Sequence, residues 1–189
     1  AKNFDAVYVC NPNSPTGSLV DAAHIKMVAE KNPSKWIIVD ETYLPFIKSW
    51  QKHSLLYTDI PNLIVFHSMS KIHRLPGLRI GFMKADREVV SRYMDFFMPW
   101  SVNSLAQAAV FHLSENKKMV ESFIEESANY ALTQKKIITD ELRDKGIEFY
   151  PSSSVFMLAR LGEGLPSAGD FHDMMLDKKI MIRDCSNFK

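Results

Sequence analysis

Cysteine is scarce in this chain: Cys10 and Cys185 are the only two among 189 residues. They stand near opposite ends and form no C-x-x-C spacing, so neither a zinc knuckle nor a disulfide framework is expected, and they read as free thiols of a cytoplasmic protein. An excess of one charge is missing too. Lys and Arg number 23 against 22 Asp and Glu, and a net charge of +1 gives no nucleic-acid or anionic-membrane partner a surface to hold. No apolar run approaches the roughly 20 residues of a bilayer span, and no secretory leader pattern opens the chain. Among only seven glycines, Gly162-Glu163-Gly164 lacks the third glycine and the helix start of a dinucleotide loop. His24, His53, His67, His73, His112 and His172 show neither H-x-x-x-H nor H-E-x-x-H spacing. They read as ordinary core or surface residues, and no metal is expected. The ten methionines read as packing, and the paired lysines as solvated helix faces.

What is present is a series of short apolar runs. Residues 6–10, 36–39, 63–66 and 79–83 are apolar at nearly every position and are bounded by Asn, Pro, Asp, Ser or Gly. A helical pattern at 21–31, with Ile25, Val28 and Ala29 on one side, separates the first two. Such strands mark an α/β fold with a mainly parallel sheet covered by helices. Asp86 and Ser104 are positioned to cap helices running to about residues 96 and 113. A long amphipathic helix is expected over 117–145, with Val120, Phe123, Ile124, Ile137, Ile138 and Leu142 in its stripe and Gly146 as its stop. Strands are expected at 147–150, 155–160 and 180–183, and a helix at 168–178. The division that follows is a large domain over 1–116, a connecting helix over 117–146, and part of a small α+β C-terminal domain over 147–189. Little remains after the last expected strand to pack on it, so the chain reads as cut short.

Three polar clusters open at the C-terminal ends of expected strands, where open parallel sheets bind ligands. The first is Asn11-Pro12-Asn13-Ser14-Pro15-Thr16-Gly17. The second is Asp40-Glu41-Thr42-Tyr43. The third is Ser68-Met69-Ser70-Lys71, followed by Pro76-Gly77-Leu78-Arg79. Taken singly, these read as a turn-rich loop, a strand-end anchor and a polar turn. Taken together, they describe a site for an aromatic aldehyde with a phosphate tail. A lysine supplies an amine, an acid meets a ring nitrogen, and hydroxyls with a bidentate arginine hold a phosphate dianion.

The three motifs, in this order and at this spacing, resemble the fold-type-I aminotransferases of class I and II over essentially the whole chain. The resemblance implies pyridoxal 5'-phosphate as cofactor and a pyridoxal-phosphate-dependent transferase fold for the large domain. It implies that Lys71 forms the Schiff base and then shuttles a proton, that Asp40 pairs with the pyridine nitrogen, and that Tyr43 bonds the phenolic oxygen. Ser68, Ser70 and Arg79 would hold the phosphate. Ser14 stands where the family usually has asparagine contacting the phenolic oxygen; its shorter hydroxyl and the neighbouring Asn13 are the candidates for that contact.

Pro99-Trp100-Ser101-Val102-Asn103 and Ile182-Arg183-Asp184-Cys185-Ser186-Asn187-Phe188 are most similar to the threonine-phosphate decarboxylases of cobalamin synthesis. Histidinol-phosphate aminotransferases carry related wording, and in both groups the arginine matching Arg183 helps bind an anionic substrate. The implied activity is decarboxylation of L-threonine O-3-phosphate. The alternatives are a histidinol-phosphate-type transamination and a non-catalytic cofactor-binding regulatory domain. The implied partners are a small phosphorylated, amino-acid-like substrate and a second copy of the chain in a homodimer. A further arginine would lie beyond Lys189, and the early large domain, with a tyrosine lent across the dimer, before Ala1.

Overall fold

The computed structural model describes residues 4–188. Its main sheet is built from β1 (Ala6–Cys10), β2 (Trp36–Asp40), β3 (Leu63–Ser68) and β4 (Gly81–Lys84), adjacent in that order. The first three strands run parallel, and β4 returns antiparallel to β3. The apolar runs decide this arrangement. Ile37, Val39, Leu63 and Val65 alternate onto one face of the sheet, where they meet Ala22, Ile25 and Ala29 of α1 (Ala22–Lys31) together with Leu55 and Ile60. Asp21 caps α1 by accepting from the Ala23 amide, and Asn32 ends it. Asn62 ties the layers together, because its side-chain amide donates to the carbonyls of Ala29, Asn32 and Lys35.

The opposite sheet face is more open. Trp36, Ile38 and Ile64 line a groove of about 840 Å³ against Val89 and Tyr93 of α2 (Arg87–Met94). Asp86 caps α2 as expected. α3 (Ser104–Glu115) is capped by Asn103, whose side chain accepts from the Ala106 amide, so the cap falls one residue before the expected Ser104. α4 (Lys117–Glu141) follows and ends four residues short of the expected Lys145. Asp144 adopts a left-handed backbone (φ +62°), which a right-handed helix cannot absorb, and Gly146 (φ +75°) completes the turn. Among the described residues no helix is long and apolar enough to cross a membrane.

Beyond α4 lies a small antiparallel pair, β5 (Ile147–Phe149) with β6 (Ala159–Leu161), and then α5 (Ala168–Asp177). The strand expected over 155–160 is reduced to its last part, since the Phe156 carbonyl accepts from the Ser152 hydroxyl at 2.6 Å and holds the preceding residues in a loop. The strand expected over 180–183 does not form. The Ile180 amide closes the last turn of α5 on the Met175 carbonyl, and His172 takes the Ile182 carbonyl at 2.6 Å, so these backbone groups are already engaged and cannot build a ladder.

Candidate functional site

The parallel strands end together, and the ladder continues past their ends into the polar loops. The Asn11 amide donates to the Asp40 carbonyl at 2.9 Å, and the Glu41 amide donates to the Phe66 carbonyl at 2.9 Å. The first loop, the second acidic turn and the approach to the lysine turn are thereby set side by side. Asn11 is fully buried and commits its side chain to the loop itself, bonding both backbone groups of Val20. Asn13 donates from its side-chain amide to the Thr16 hydroxyl at 2.9 Å, whereas Ser14 is exposed at the loop tip. Both prolines of this loop follow cis peptide bonds, Asn11-Pro12 and Ser14-Pro15.

Asp40 closes β2 half-buried, with one carboxylate oxygen accepting from the Thr42 amide at 2.9 Å and the other from the Tyr8 hydroxyl at 2.9 Å. Tyr43 starts a short 3₁₀ turn over Leu44–Phe46 and packs edge-on against Phe156 at 4.9 Å between ring centres. The segment after β5 also reaches the first loop, where the Ser153 amide donates to the Gly17 carbonyl at 2.9 Å. Contact there is so close that a Cβ on Gly17 would lie 2.0 Å from the Ser152 hydroxyl oxygen. Lys135 of α4 holds this segment in place by donating to the carbonyls of Ser152 and Ser154, and desolvation lowers its pKa.

Lys71 and Arg79 are joined by the β3–β4 return. Ser68 pairs with Gly81, and the Met69 amide donates to the Ile80 carbonyl at 3.2 Å just beyond the strand ends. Ser68 accepts the Ser70 amide on its hydroxyl oxygen, Ser70 is buried, and Lys71 is exposed. Arg79 sits at φ +52°, so β4 begins two residues later than the expected Arg79 start. One of its guanidinium nitrogens donates to the Pro76 carbonyl at 3.2 Å. Gly81 allows the return to be this tight, since a Cβ there would stand 2.6 Å from the His67 carbonyl oxygen. Gly81→Ala is therefore expected to cost about 1–3 kcal/mol of stability by forcing β4 away from β3, a loss readable by urea denaturation.

An anchor beneath the site is not legible from the motifs. Glu41 is wholly buried, and its carboxylate accepts from the Ser54 hydroxyl at 2.6 Å and the Leu55 amide at 2.7 Å, with His67 at 2.7 Å. The His67 ring stacks on Phe82 of β4 at 5.2 Å. This network joins the residue after Asp40 to the residue before Ser68, and fixes the two strand ends against each other. The only signal in the sequence is parity: His67 continues the alternation of Leu63 and Val65 into the core. Arg183 is exposed, with its guanidinium 5.1 Å from the centre of the Phe188 ring, and no hydrogen bond or ion pair among the described residues joins it to Lys71 or Arg79.

The sequence profile of the aminotransferase class I and II family matches residues 1–189. The chain belongs to that family. Its members are fold-type-I pyridoxal-phosphate enzymes. A histidinol-phosphate aminotransferase of Caldanaerobacter subterraneus is 32% identical over 186 residues, covering 97% of this chain and 49% of the relative. An aromatic amino acid aminotransferase of Mycobacteroides abscessus is 31% identical, covering 94% of this chain and 50% of the relative. In fold, the chain is similar to the L-threonine-O-3-phosphate decarboxylase of Porphyromonas gingivalis (TM-score 0.84, 29% identity, 99% of this chain and 56% of that one). The histidinol-phosphate aminotransferase of Clostridium acetobutylicum is comparably similar (TM-score 0.83, 27% identity, 97% and 55%). The chain thus spans about half the length of the curated relatives it matches.

Proposed function

We propose that this chain carries the cofactor-holding half of a pyridoxal-phosphate enzyme that decarboxylates a small phosphate-tailed amino acid, L-threonine O-3-phosphate. The observation that carries the reading is the β3–β4 connection, which bears Ser68, Ser70, Lys71 and Arg79 beside the ends of the parallel strands. The donor set fits the group: an amine, two hydroxyls, a guanidinium with donors left over after its one bond to Pro76, and a carboxylate on the neighbouring strand. When bound, pyridoxal phosphate supplies an aldehyde for an amine and a ring that takes up the electrons of a bond broken at the substrate α-carbon.

Each residue then has a physical task. Lys71 holds the aldehyde end through its Nζ and afterwards carries a proton to or from the α-carbon. Asp40 faces the ring nitrogen and keeps its proton in place, and Tyr43 donates to the phenolic oxygen. Ser14 shares that oxygen; Asn13, engaged with Thr16, is the less available of the two. Ser68, Ser70 and Arg79 bind the phosphate through charge-assisted bonds. Arg183 is left for the anionic tail of the substrate. Homodimer formation accompanies this reading, supported by the exposed Phe96, Met98 and Trp100, and so do cytoplasmic residence and the division at residues 116 and 146.

Arg79→Lys is expected to weaken cofactor binding by about tenfold or more, since a charged hydrogen bond is worth roughly 1.5–3 kcal/mol and lysine lacks the planar fork. Titration of the apoprotein with pyridoxal phosphate reads this directly; an unchanged affinity assigns the phosphate elsewhere.

Transamination of histidinol phosphate is the second reading, favoured by the curated relative named for it at 32% identity. The likeness to the Porphyromonas decarboxylase and the wording at 99–103 and 182–188 favour decarboxylation. Carbon dioxide release from L-threonine O-3-phosphate supports the first reading. Transfer of the amino group of histidinol phosphate to a keto acid, without carbon dioxide, overturns it in favour of the second.

A further inference from the structure

Tyr8 has no evident work in the core. β1 sends Val7 towards the packed face of the sheet, while Tyr8 stands on the other face with 58% of its surface exposed. That face also carries Cys10, paired with Asp40 in the β1–β2 register. Strand propensity and packing at such a position are served as well by phenylalanine, so the hydroxyl is what distinguishes the residue. It reaches from β1 to the last residue of β2 and donates to the outer carboxylate oxygen of Asp40 at 2.9 Å. The other oxygen is held by the Thr42 amide at 2.9 Å. Asp40 is therefore gripped from two directions, by the neighbouring strand and by its own turn. A carboxylate offers about four lone-pair sites, so a further donor still has room.

We propose that Tyr8 is a positioning residue whose hydroxyl fixes the Asp40 carboxylate so that a ring nitrogen facing Asp40 retains its proton. This inference rests on the assignment of Asp40 to the pyridine nitrogen. A proton shared between a ring nitrogen and a carboxylate lies on the nitrogen to the extent that the carboxylate is stabilised as an anion. A phenol donating to that carboxylate stabilises the anion, and removing the phenol draws the proton towards Asp40. The neighbours suit this task. Desolvation first, and the hydrogen bond and charge of Asp40 next, push the Tyr8 phenol above its ordinary pKa, so it remains a donor throughout the neutral range. Desolvation and the charge of Asp40 likewise raise the Cys10 thiol, which stays neutral and adds no second anion beside the carboxylate.

The test uses the whole protein loaded with pyridoxal phosphate isotopically labelled at the ring nitrogen, whose NMR shift separates protonated from unprotonated pyridine. Tyr8→Phe should move that resonance towards the unprotonated value and lower turnover by about tenfold, the worth of one hydrogen bond to a charged group. Affinity for the cofactor should stay unchanged, as the phosphate contacts are untouched. A ring-fluorinated tyrosine at the same position, a stronger donor, should hold the resonance at the protonated value. An unmoved resonance in Tyr8→Phe, with Asp40→Asn moving it, overturns the proposal for Tyr8 and leaves the role of Asp40 standing. An unmoved resonance in Asp40→Asn overturns the assignment of Asp40, and the Tyr8 proposal falls with it.

Discussion

Lys71→Ala is expected to abolish turnover, with a loss of at least about 10²–10⁴-fold from proton transfer alone. The loss should be larger in practice, because in the proposed site the same amine would also hold the cofactor. Nothing on the same turn can take its place. The hydroxyls of Ser68 and Ser70 cannot act as an amine, and Arg74, further along the chain, carries a guanidinium in place of a primary amine. Steady-state assay and the visible spectrum of the variant check this together. The expected result is no activity and loss of the absorbance of a lysine-bound cofactor. Turnover within tenfold of the parent would remove Lys71 from the chemistry.

Asp40→Ala carries the second-largest expected effect, and its signature is a split between rate and binding. On the proposed assignment the carboxylate would face the ring nitrogen and not the phosphate, so its loss would weaken the electron sink while Ser68, Ser70 and Arg79 would still hold the other end. Removing a single preorganised electrostatic partner of this kind costs about 10²–10³-fold in turnover. Cofactor occupancy should fall far less. Parallel measurement of kcat and of bound pyridoxal phosphate decides the point; near-normal kcat would mean that Asp40 only anchors the strand end through the Thr42 amide.

Much of the fold can be read from the chain because its strands obey simple rules. Runs such as Trp36-Ile37-Ile38-Val39 are too short for helices and too apolar for surface loops, and the structure pairs them in parallel as expected. The strand-end motifs are legible for a related reason: polar residues that interrupt such runs must lie at the mouths of the strands. What cannot be read is set by contacts distant in the chain. Glu41 stands in the motif only as the neighbour of Asp40, yet its environment is made by Ser54, Leu55 and His67. The left-handed backbone of Arg79 is dictated by the tight return at Gly81, since nothing in arginine itself favours it. Ile180 to Arg183 looks like a strand, but strands need partners, and α5 claims its backbone groups first. Tyr8 carries no motif at all. Its bond to Asp40 follows from the β1–β2 register, across a sequence separation of 32 residues.

Every assignment in the site depends on Lys71 being the lysine that holds the cofactor. Borohydride reduction of the pyridoxal-phosphate-loaded protein, followed by proteolysis and mass mapping, would make that linkage permanent and locate it. The predicted result is a single pyridoxyl group on the peptide containing Ser68-Met69-Ser70-Lys71. A pyridoxyl group on any other lysine, with Lys71 unmodified, would contradict it.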